Sequence, residues 1–168
     1  MSEENAAGIT SERLRALLDY NPETGEFTWI SGRRQGKRQG KRAGCADGRG
    51  YLRIEIDGRH YRGHRLAWLH VFGKWPDGDL DHANGDRADN RISNLRSATR
   101  SQNAANMRRR RINTSGLKGV SFHRGKWQAR ITKHGKARHL GSFPTAAHAH
   151  AAYCAAAREV HGAFWRAE

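Results

Sequence analysis

Sulfur, proline and negative charge are all scarce in this chain. Two cysteines stand among 168 residues, Cys45 and Cys154, far apart and in dissimilar surroundings. Two thiols cannot build a four-thiolate zinc cluster and give no disulfide framework, so two free thiols in a reducing compartment are expected. No apolar run is long enough to span a bilayer and no secretory leader is apparent, so neither a membrane span nor export is expected. An amphipathic basic helix with a Trp/Leu face is also missing, which removes the usual means of lying on an anionic membrane. Acidic residues number 16 against 31 lysines and arginines, leaving a formal net charge of +15. Such an excess destabilises a compact chain by self-repulsion unless a polyanion offsets it. Nucleic acid is the favoured partner, because neutralising its phosphates releases counterions.

The charge is unevenly placed. Residues 1–30 carry −4, residues 31–50 carry +6, residues 51–107 carry +2 and residues 108–168 carry +11. The length suits one ordinary domain or two small ones, and the pattern favours two. Residues 1–9 read as a disordered tail. Thr10 or Ser11 can cap a helix carrying Leu14, Leu17 and Leu18. Asn21 to Gly25 is a turn, and Glu26 to Ile30 alternates as a short strand. Residues 31–50 show no apolar period and are expected as a loop, with Arg33, Arg34, Lys37 and Arg38 available to grip phosphates; a solvated linker is the plain alternative. Tyr51–Ile56 and Arg59–Arg62 alternate around Asp57-Gly58, a strong hairpin signal. A helix from His64 to Phe72 offers Leu66, Ala67, Leu69 and Phe72 to a core. Thr99 or Ser101 can cap a further helix running to about Met107.

Running from beyond the His64–Phe72 helix through this last one is the stretch that carries chemistry, LDHANGDRADNRISNLRSATRSQNAAN, residues 80–106. Phosphodiester hydrolysis calls for a base to activate water, a cation for the charge developing on the leaving oxygen, and a frame for both. His82 has a ring that titrates near neutrality and can act as the base. Asp81 precedes it, on the opposite strand face unless the strand twists or bulges there. A helix crossing the strand end can bring the Asn103 oxygen beside Asp81. Hard oxygen donors of this kind suit Mg²⁺, which takes its remaining ligands from water and phosphate. Asn94 lies between them in a Gly/Asp/Asn-rich loop, where its amide can bond backbone groups and fix the His82 strand against the helix. Taken singly, each of these residues has an ordinary structural explanation.

The combination resembles the HNH endonucleases of the phage homing and free-standing nicking kind. The resemblance rests on Asp81-His82, Asn94, Asn103, His64-Arg65-Leu66-Ala67-Trp68 and the string LLDYNPETGEFTW, and covers about residues 14–107. It implies a ββα-metal unit in which His82 is the general base, Asp81 and Asn103 are metal ligands, and Asn94 is the structural middle member of the catalytic set. Asn103 stands where many members have His, which argues for Mg²⁺ or Mn²⁺ over zinc. The four-cysteine zinc ribbon of some relatives is out of reach, so no structural zinc is expected. Arg100, one turn before Asn103, is a candidate for the scissile phosphate, with a solvated helix face as the alternative.

Arg108, Arg109, Arg110 and Arg111 open a basic linker, residues 108–114, after which the period changes. Three short strands are expected near Lys118–His123, Lys126–Lys133 and Lys136–Phe143, closed by a helix from Thr145 to about Val160. Val120, Phe122, Trp127, Ala129, Ile131 and Leu140 share one parity and can pack on the alanine-rich helix. Ser121, His123, Gln128, Arg130, Thr132 and His139 take the other, flanked by Arg124 and Lys126. Such a face can lie in the major groove, or be simply solvated. Residues 115–163 also resemble the APETALA2-type DNA-binding domain, through Gly119-Val120, Gly125-Lys126-Trp127-Gln128-Ala129 and Leu140-Gly141-Ser142-Phe143-Pro144-Thr145. The base-reading arginines and tryptophan of that family are replaced by Ser121, His123, Thr132, Ala137 and His139, so its target sequence does not carry over.

The expectation is therefore an α+β protein: an HNH nuclease domain at 10–107, and a three-stranded antiparallel sheet on one helix at 115–168. As a metal-dependent endonuclease it would cut double-stranded DNA to 3′-hydroxyl and 5′-phosphate ends, one strand at a time if monomeric. No obligatory protein partner is evident. The resemblance places it in the cytoplasm of a bacterial host, encoded by a phage or mobile element. Two rivals stay open: a non-catalytic DNA-binding regulator, and a nuclease associated with DNA packaging.

Overall fold

Thr10 opens the first helix. Its hydroxyl accepts from the Arg13 amide, satisfying one of the donors that a helix start leaves unpaired. The helix, α1 (Ser11–Leu17), buries Leu14 and Leu17. Leu18, expected on the helix, is instead extended and begins β1 (Leu18–Tyr20), which pairs antiparallel with β2 (Phe27–Trp29). Pairing with Trp29 buries Leu18 completely, and that gain outweighs one further helical residue. Between the strands, the Asn21 side chain accepts from the amides of Glu23 and Thr24, and Gly25 takes a φ of +73°. A Cβ at Gly25 would lie 2.5 Å from the Arg91 nitrogen, so only glycine lets this turn seat on the loop at residues 90–91.

The computed structural model describes residues 8–30, 38–107, 113–133 and 135–167. Arg33, Arg34, Lys37 and the four arginines Arg108, Arg109, Arg110 and Arg111 lie outside them, as does most of the tail expected at 1–9. The described part of the basic segment 31–50 departs from the expected loop. Arg42 bridges to Thr28, Ala43 is fully buried, and β3 (Cys45–Ala46) pairs with β4 (Leu52–Ile56). A two-residue strand has no readable period; the partner strand supplies the reason for it to extend. β4 and β5 (Arg59–Arg62) form the expected hairpin, with Asp57 and Gly58 both at positive φ as a type I′ turn requires.

Next comes α2 (Gly63–Phe72), which buries His64, Leu66, Ala67 and Leu69 and stops at Gly73 in the left-handed region. Phe72, expected in the core, is 50% exposed and lies against the Trp68 ring at a tilt of 44° instead. It is the final helical residue and overshoots the core that Leu66 and Leu69 reach. β6 (Asp79–His82) and β7 (Leu95–Ala98) make a separate two-stranded sheet. One hydrophobic core unites α1, β1, β2, β4 and α2 through Leu14, Leu18, Phe27, Ile54 and Leu66.

The chain divides into two compact units, Met1–Ser97 and Ala98–Glu168. This division falls ahead of α3 (Arg100–Asn106), earlier than the linker expected at 108–114, so α3 groups with the C-terminal sheet. The physical reason is Lys118, whose ammonium donates to the carbonyls of Ala105, Met107 and Arg166 at 2.5, 2.8 and 3.1 Å. It closes the C-terminal end of α3, where the helix dipole favours a cation. The Thr99 capping box with Gln102 fixes the other end.

In the second unit β8 (Val120–His123), β9 (Lys126–Lys133) and β10 (Lys136–Phe143) pair antiparallel in the order β10-β9-β8. Helix α4 (Ala146–His161), capped by Thr145, presents Ala149, Tyr153, Ala156 and Ala157 to the sheet. Gly119 is required there, since a Cβ would stand 2.1 Å from the Tyr153 ring. Val120, Ala129 and Ile131 face the helix as expected, whereas Phe122 is 59% exposed. Cys45 and Cys154 are both free thiols. Among the described residues no helix is long and apolar enough to cross a membrane.

Candidate active site

The loop between β6 and β7 is held by the side chains of its own Asn and Asp residues, which bond its backbone and each other beside a few backbone–backbone turns. Asn84 Oδ1 accepts from the Asp86 amide, and Asp86 Oδ1 accepts from the Ala88 amide. Asp89 accepts from Asn84 at 2.7 Å and from the Arg91 guanidinium at 2.9 and 2.6 Å, which holds its carboxyl down at about 2. Asn94 staples the two ends of this loop. Its Oδ1 accepts from the Asn84 amide at 3.0 Å, and its Nδ2 donates to the Asp89 carbonyl at 2.8 Å. The Asn94 carbonyl also accepts from the Ala83 amide, directly after His82. Tyr20 reinforces the frame from β1, its hydroxyl donating to the Asn90 carbonyl at 2.7 Å; burial pushes that phenol up to about 12.

His82 and Asp81 are therefore held at the rigid end of a short strand, and both are buried although they are neighbours in a strand. Burial pushes the His82 imidazole below its ordinary value of 6.5. The Asn90 side chain and the carboxylates of Asp81, Asp86 and Asp89 oppose that push without reversing it. The ring is thus neutral at neutral pH, as a base must be. It packs against His64 of α2, with ring centroids 5.0 Å apart and edge-on, and against Tyr51 at 5.9 Å. Burial, helped by His82, Arg65 and Arg62, drives His64 down to about 3, so no second charge competes beside His82. Tyr51 in turn carries the guanidinium groups of Arg62 and Arg87, 4.8 and 5.0 Å from its ring centre. Arg62 is ion-paired with Asp47, which it holds at about 2.

Asp81 is already engaged by a cation. The Nε and Nη2 of Arg96, on β7, approach its Oδ2 at 2.9 and 2.8 Å. That Asp81 oxygen is taken by the guanidinium in a largely dehydrated pair, so a hard divalent ion bound at Asp81 would have to share or take over the same oxygen. Among the described residues no three His, Cys, Asp or Glu side chains converge on a metal position. An ion at Asp81 would accordingly draw its other ligands from amide oxygen, water or phosphate. Asn103 is carried on α3, half-buried, in the second unit.

Arg96, Tyr51 and Asn90 are the site neighbours that sequence reasoning missed. A charged residue in a short strand whose hairpin partner holds a buried acid was the available signal for Arg96. Tyr51 and Asn90 left none. Of the other expected DNA contacts, Arg38 lies over the Trp29 ring at 5.4 Å, and Arg100 is exposed at the first position of α3. Strand register sets Ser121 opposite Gln128 and Gln128 opposite Ser142, with Arg130 opposite His139 and Thr132 opposite Ala137. These make one polar sheet face, bordered by exposed His123, Arg124 and Lys126.

Residues 61–105 match the family model described as HNH endonuclease. That span runs from β5 through α2, the β6–β7 hairpin and its loop into α3, and so contains His64, Asp81, His82, Asn94, Arg96 and Asn103. The chain is 37% identical over 78 residues to Protein 3.8 of Escherichia phage T7, across 45% of this chain and 64% of that protein. It thus spans just under two thirds of that relative's length. No solved structure matches the chain.

Proposed function

We propose that this protein is a divalent-metal-dependent DNA endonuclease that hydrolyses a phosphodiester to 3′-hydroxyl and 5′-phosphate ends. The observation that carries the reading is a buried, neutral His82 beside the Asp81–Arg96 pair, stapled in place by Asn94, within a stretch matching the HNH endonuclease family. In this reading the matched stretch, residues 61–105, supplies the ββα-metal unit that the resemblance implies. Asp81 and the Asn103 carboxamide oxygen would hold Mg²⁺ or Mn²⁺, which supplies positive charge toward the leaving 3′ oxygen. His82 accepts the proton of the attacking water. Asn90 and Asp81 stabilise the imidazolium that results, since both favour its charged form. Asn94 acts only through the loop, by fixing the height and tilt of the strand end that bears His82. Arg100, exposed on the same helix as Asn103, is assigned to a backbone phosphate.

Residues 115–168 are proposed as the module that holds the enzyme on duplex DNA, as an APETALA2-type sheet. No Asp or Glu occurs from residue 90 to residue 158, so the whole segment presents one sign of charge to a polyanion. The polar face of Ser121, Gln128, Arg130, Thr132 and His139 suits base edges, and His123, Arg124 and Lys126 suit phosphates. One proposed active site per chain favours nicking, in the manner of homing or free-standing phage enzymes.

Incubation of the full chain with phage and host DNA, in Mg²⁺ and in EDTA, followed by sequencing of the ends, tests the proposal. One or a few cut positions dependent on Mg²⁺ support it. Scattered ends would favour a packaging-type processing nuclease, and no cleavage would leave a DNA-binding regulator.

A further inference from the structure

The β8–β9 hairpin tip carries an aromatic side chain that the fold does not use. Strand register aligns Phe122, Trp127 and Phe143 across the three strands. Trp127 and Phe143 pack on the core beneath α4, whereas Phe122 lies outside it and is 59% exposed. Among the described residues its ring contact is Trp127, with centroids 5.0 Å apart and planes tilted by 56°. A phenylalanine left that wet gains little from burial and exposes an apolar face to solvent.

The turn beneath it is also unusual. Arg124 and Gly125 occupy the two left-handed positions of the tip, with φ of +48° and +78°. Asn, Asp or Gly fill the first of these positions at least strain, and an arginine there carries a backbone cost. Arg124 is exposed at the tip next to Phe122 in sequence, while the paired His123 and Lys126 are exposed on the opposite, polar face of the hairpin. The tip therefore carries an exposed aromatic ring beside a basic turn residue, within the acid-free segment 90–158.

We propose that this tip is a second kind of DNA contact, in which Phe122 wedges against a base step of duplex DNA while Arg124, at the turn, grips a flanking phosphate. It rests on the proposed DNA-binding function, and it differs from readout by the polar sheet face because Phe122 belongs to the opposite parity. A base presents an aromatic face whatever its identity, so the contact anchors without reading sequence. Apolar side chains used in this way partly unstack a step and bend the duplex.

The test uses the full chain in EDTA, with two probes: a mixed-sequence duplex of 30 base pairs carrying 2-aminopurine, and heparin, a polyanion without bases. The parent chain is expected to bind both and to raise the 2-aminopurine fluorescence of the duplex. Phe122→Ala is expected to lose about tenfold in duplex affinity and most of the fluorescence change, with heparin affinity and the salt dependence unaltered. Phe122→Trp should restore both duplex readouts. Arg124→Ala should weaken both probes and lower the salt slope by about one. Because Phe122 is exposed, the alanine variant should keep the parent's thermal midpoint, which separates lost contact from lost folding. Equal duplex affinity for parent and Phe122→Ala, or an equal loss on heparin, would overturn the wedge while leaving DNA binding intact. Failure of the parent chain to bind duplex would overturn both.

Discussion

Arg96 is the residue whose replacement tests the chemistry of the site most sharply without touching the proposed base. Arg96→Met keeps much of the side-chain length and removes the guanidinium from Asp81. The Asp81 side chain is 5% exposed and that of Arg96 is 23% exposed, so the pair is largely dehydrated. Removing one partner of a buried pair costs about 3–5 kcal/mol, because the remaining charge stays buried without compensation. The partial exposure of Arg96 lets some water reach the carboxylate and sets the expectation at the lower end, about 3 kcal/mol. A small unit with a total stability on the order of 5–15 kcal/mol would feel that strongly. Arg96→Lys should recover part of the loss, since an ammonium restores the charge but not the planar fork. Removing both charges, in Asp81→Asn/Arg96→Met, should cost less than Arg96→Met alone.

The assay is urea unfolding in EDTA, repeated across a Mg²⁺ or Mn²⁺ titration. If the divalent ion takes the oxygen that Arg96 held, the ion should stabilise Arg96→Met, by about 2.7 kcal/mol at a hundredfold excess over its dissociation constant. Asp81→Asn should abolish that gain. The reasoning fails if Arg96→Met unfolds within about 0.5 kcal/mol of the parent, the ordinary range for a surface change. It also fails if the double variant is no more stable than the single one.

Three further outcomes are expected. Asn94→Ala removes two loop-closing bonds and should lose about 2 kcal/mol, at about 1 kcal/mol per bond; cleavage should slow through a lower kcat, with KM for DNA little changed, and a KM effect alone would contradict a strand-positioning role. His64 is neutral in the folded chain down to about pH 3 but protonates near 6.5 when unfolded, so the unfolded state binds the extra proton between those values. Stability should therefore be fully present above pH 6.5 and fall by about 1.4 kcal/mol per pH unit below it; His64→Phe should flatten that slope in acid denaturation, and an unchanged slope would show His64 to be hydrated. Lys118→Met strands three carbonyls at the end of α3 and should destabilise the second unit by about 2 kcal/mol in thermal unfolding; a neutral result would show that water replaces the ammonium without loss.

Much of this architecture was legible from local signals that tertiary packing did not need to correct. Asp57-Gly58 marked its hairpin, Thr10 or Ser11, Thr99 or Ser101, and Thr145 marked three helix starts, and strand parity separated Val120, Ala129 and Ile131 from Ser121, Arg130 and Thr132. What escaped depended on partners distant in sequence. Cys45–Ala46 became a strand because β4 was there to pair with it. Leu18 left its helix for Trp29, and α3 grouped with the C-terminal unit through Lys118. Phe72 and Phe122 obey the apolar parity of their elements, but each sits where its element runs past the core. The site divides in the same way. The Asp81, His82, Asn94 and Asn103 spacing was readable along the chain, whereas the Arg96 counter-ion, the Tyr51 platform and the Asn90 contact exist only once the chain is folded.

The central claim, that His82 is the base of a metal-dependent endonuclease, is tested most directly on supercoiled plasmid DNA with the parent chain and His82→Ala, each in Mg²⁺ and in EDTA. The parent is expected to convert supercoiled plasmid to nicked circles in Mg²⁺ and to leave it intact in EDTA. His82→Ala should bind the plasmid as tightly and cut it at least about a hundredfold more slowly, the contribution of a positioned general base. Cleavage by His82→Ala at the parent's rate, or by the parent in EDTA, would contradict the account.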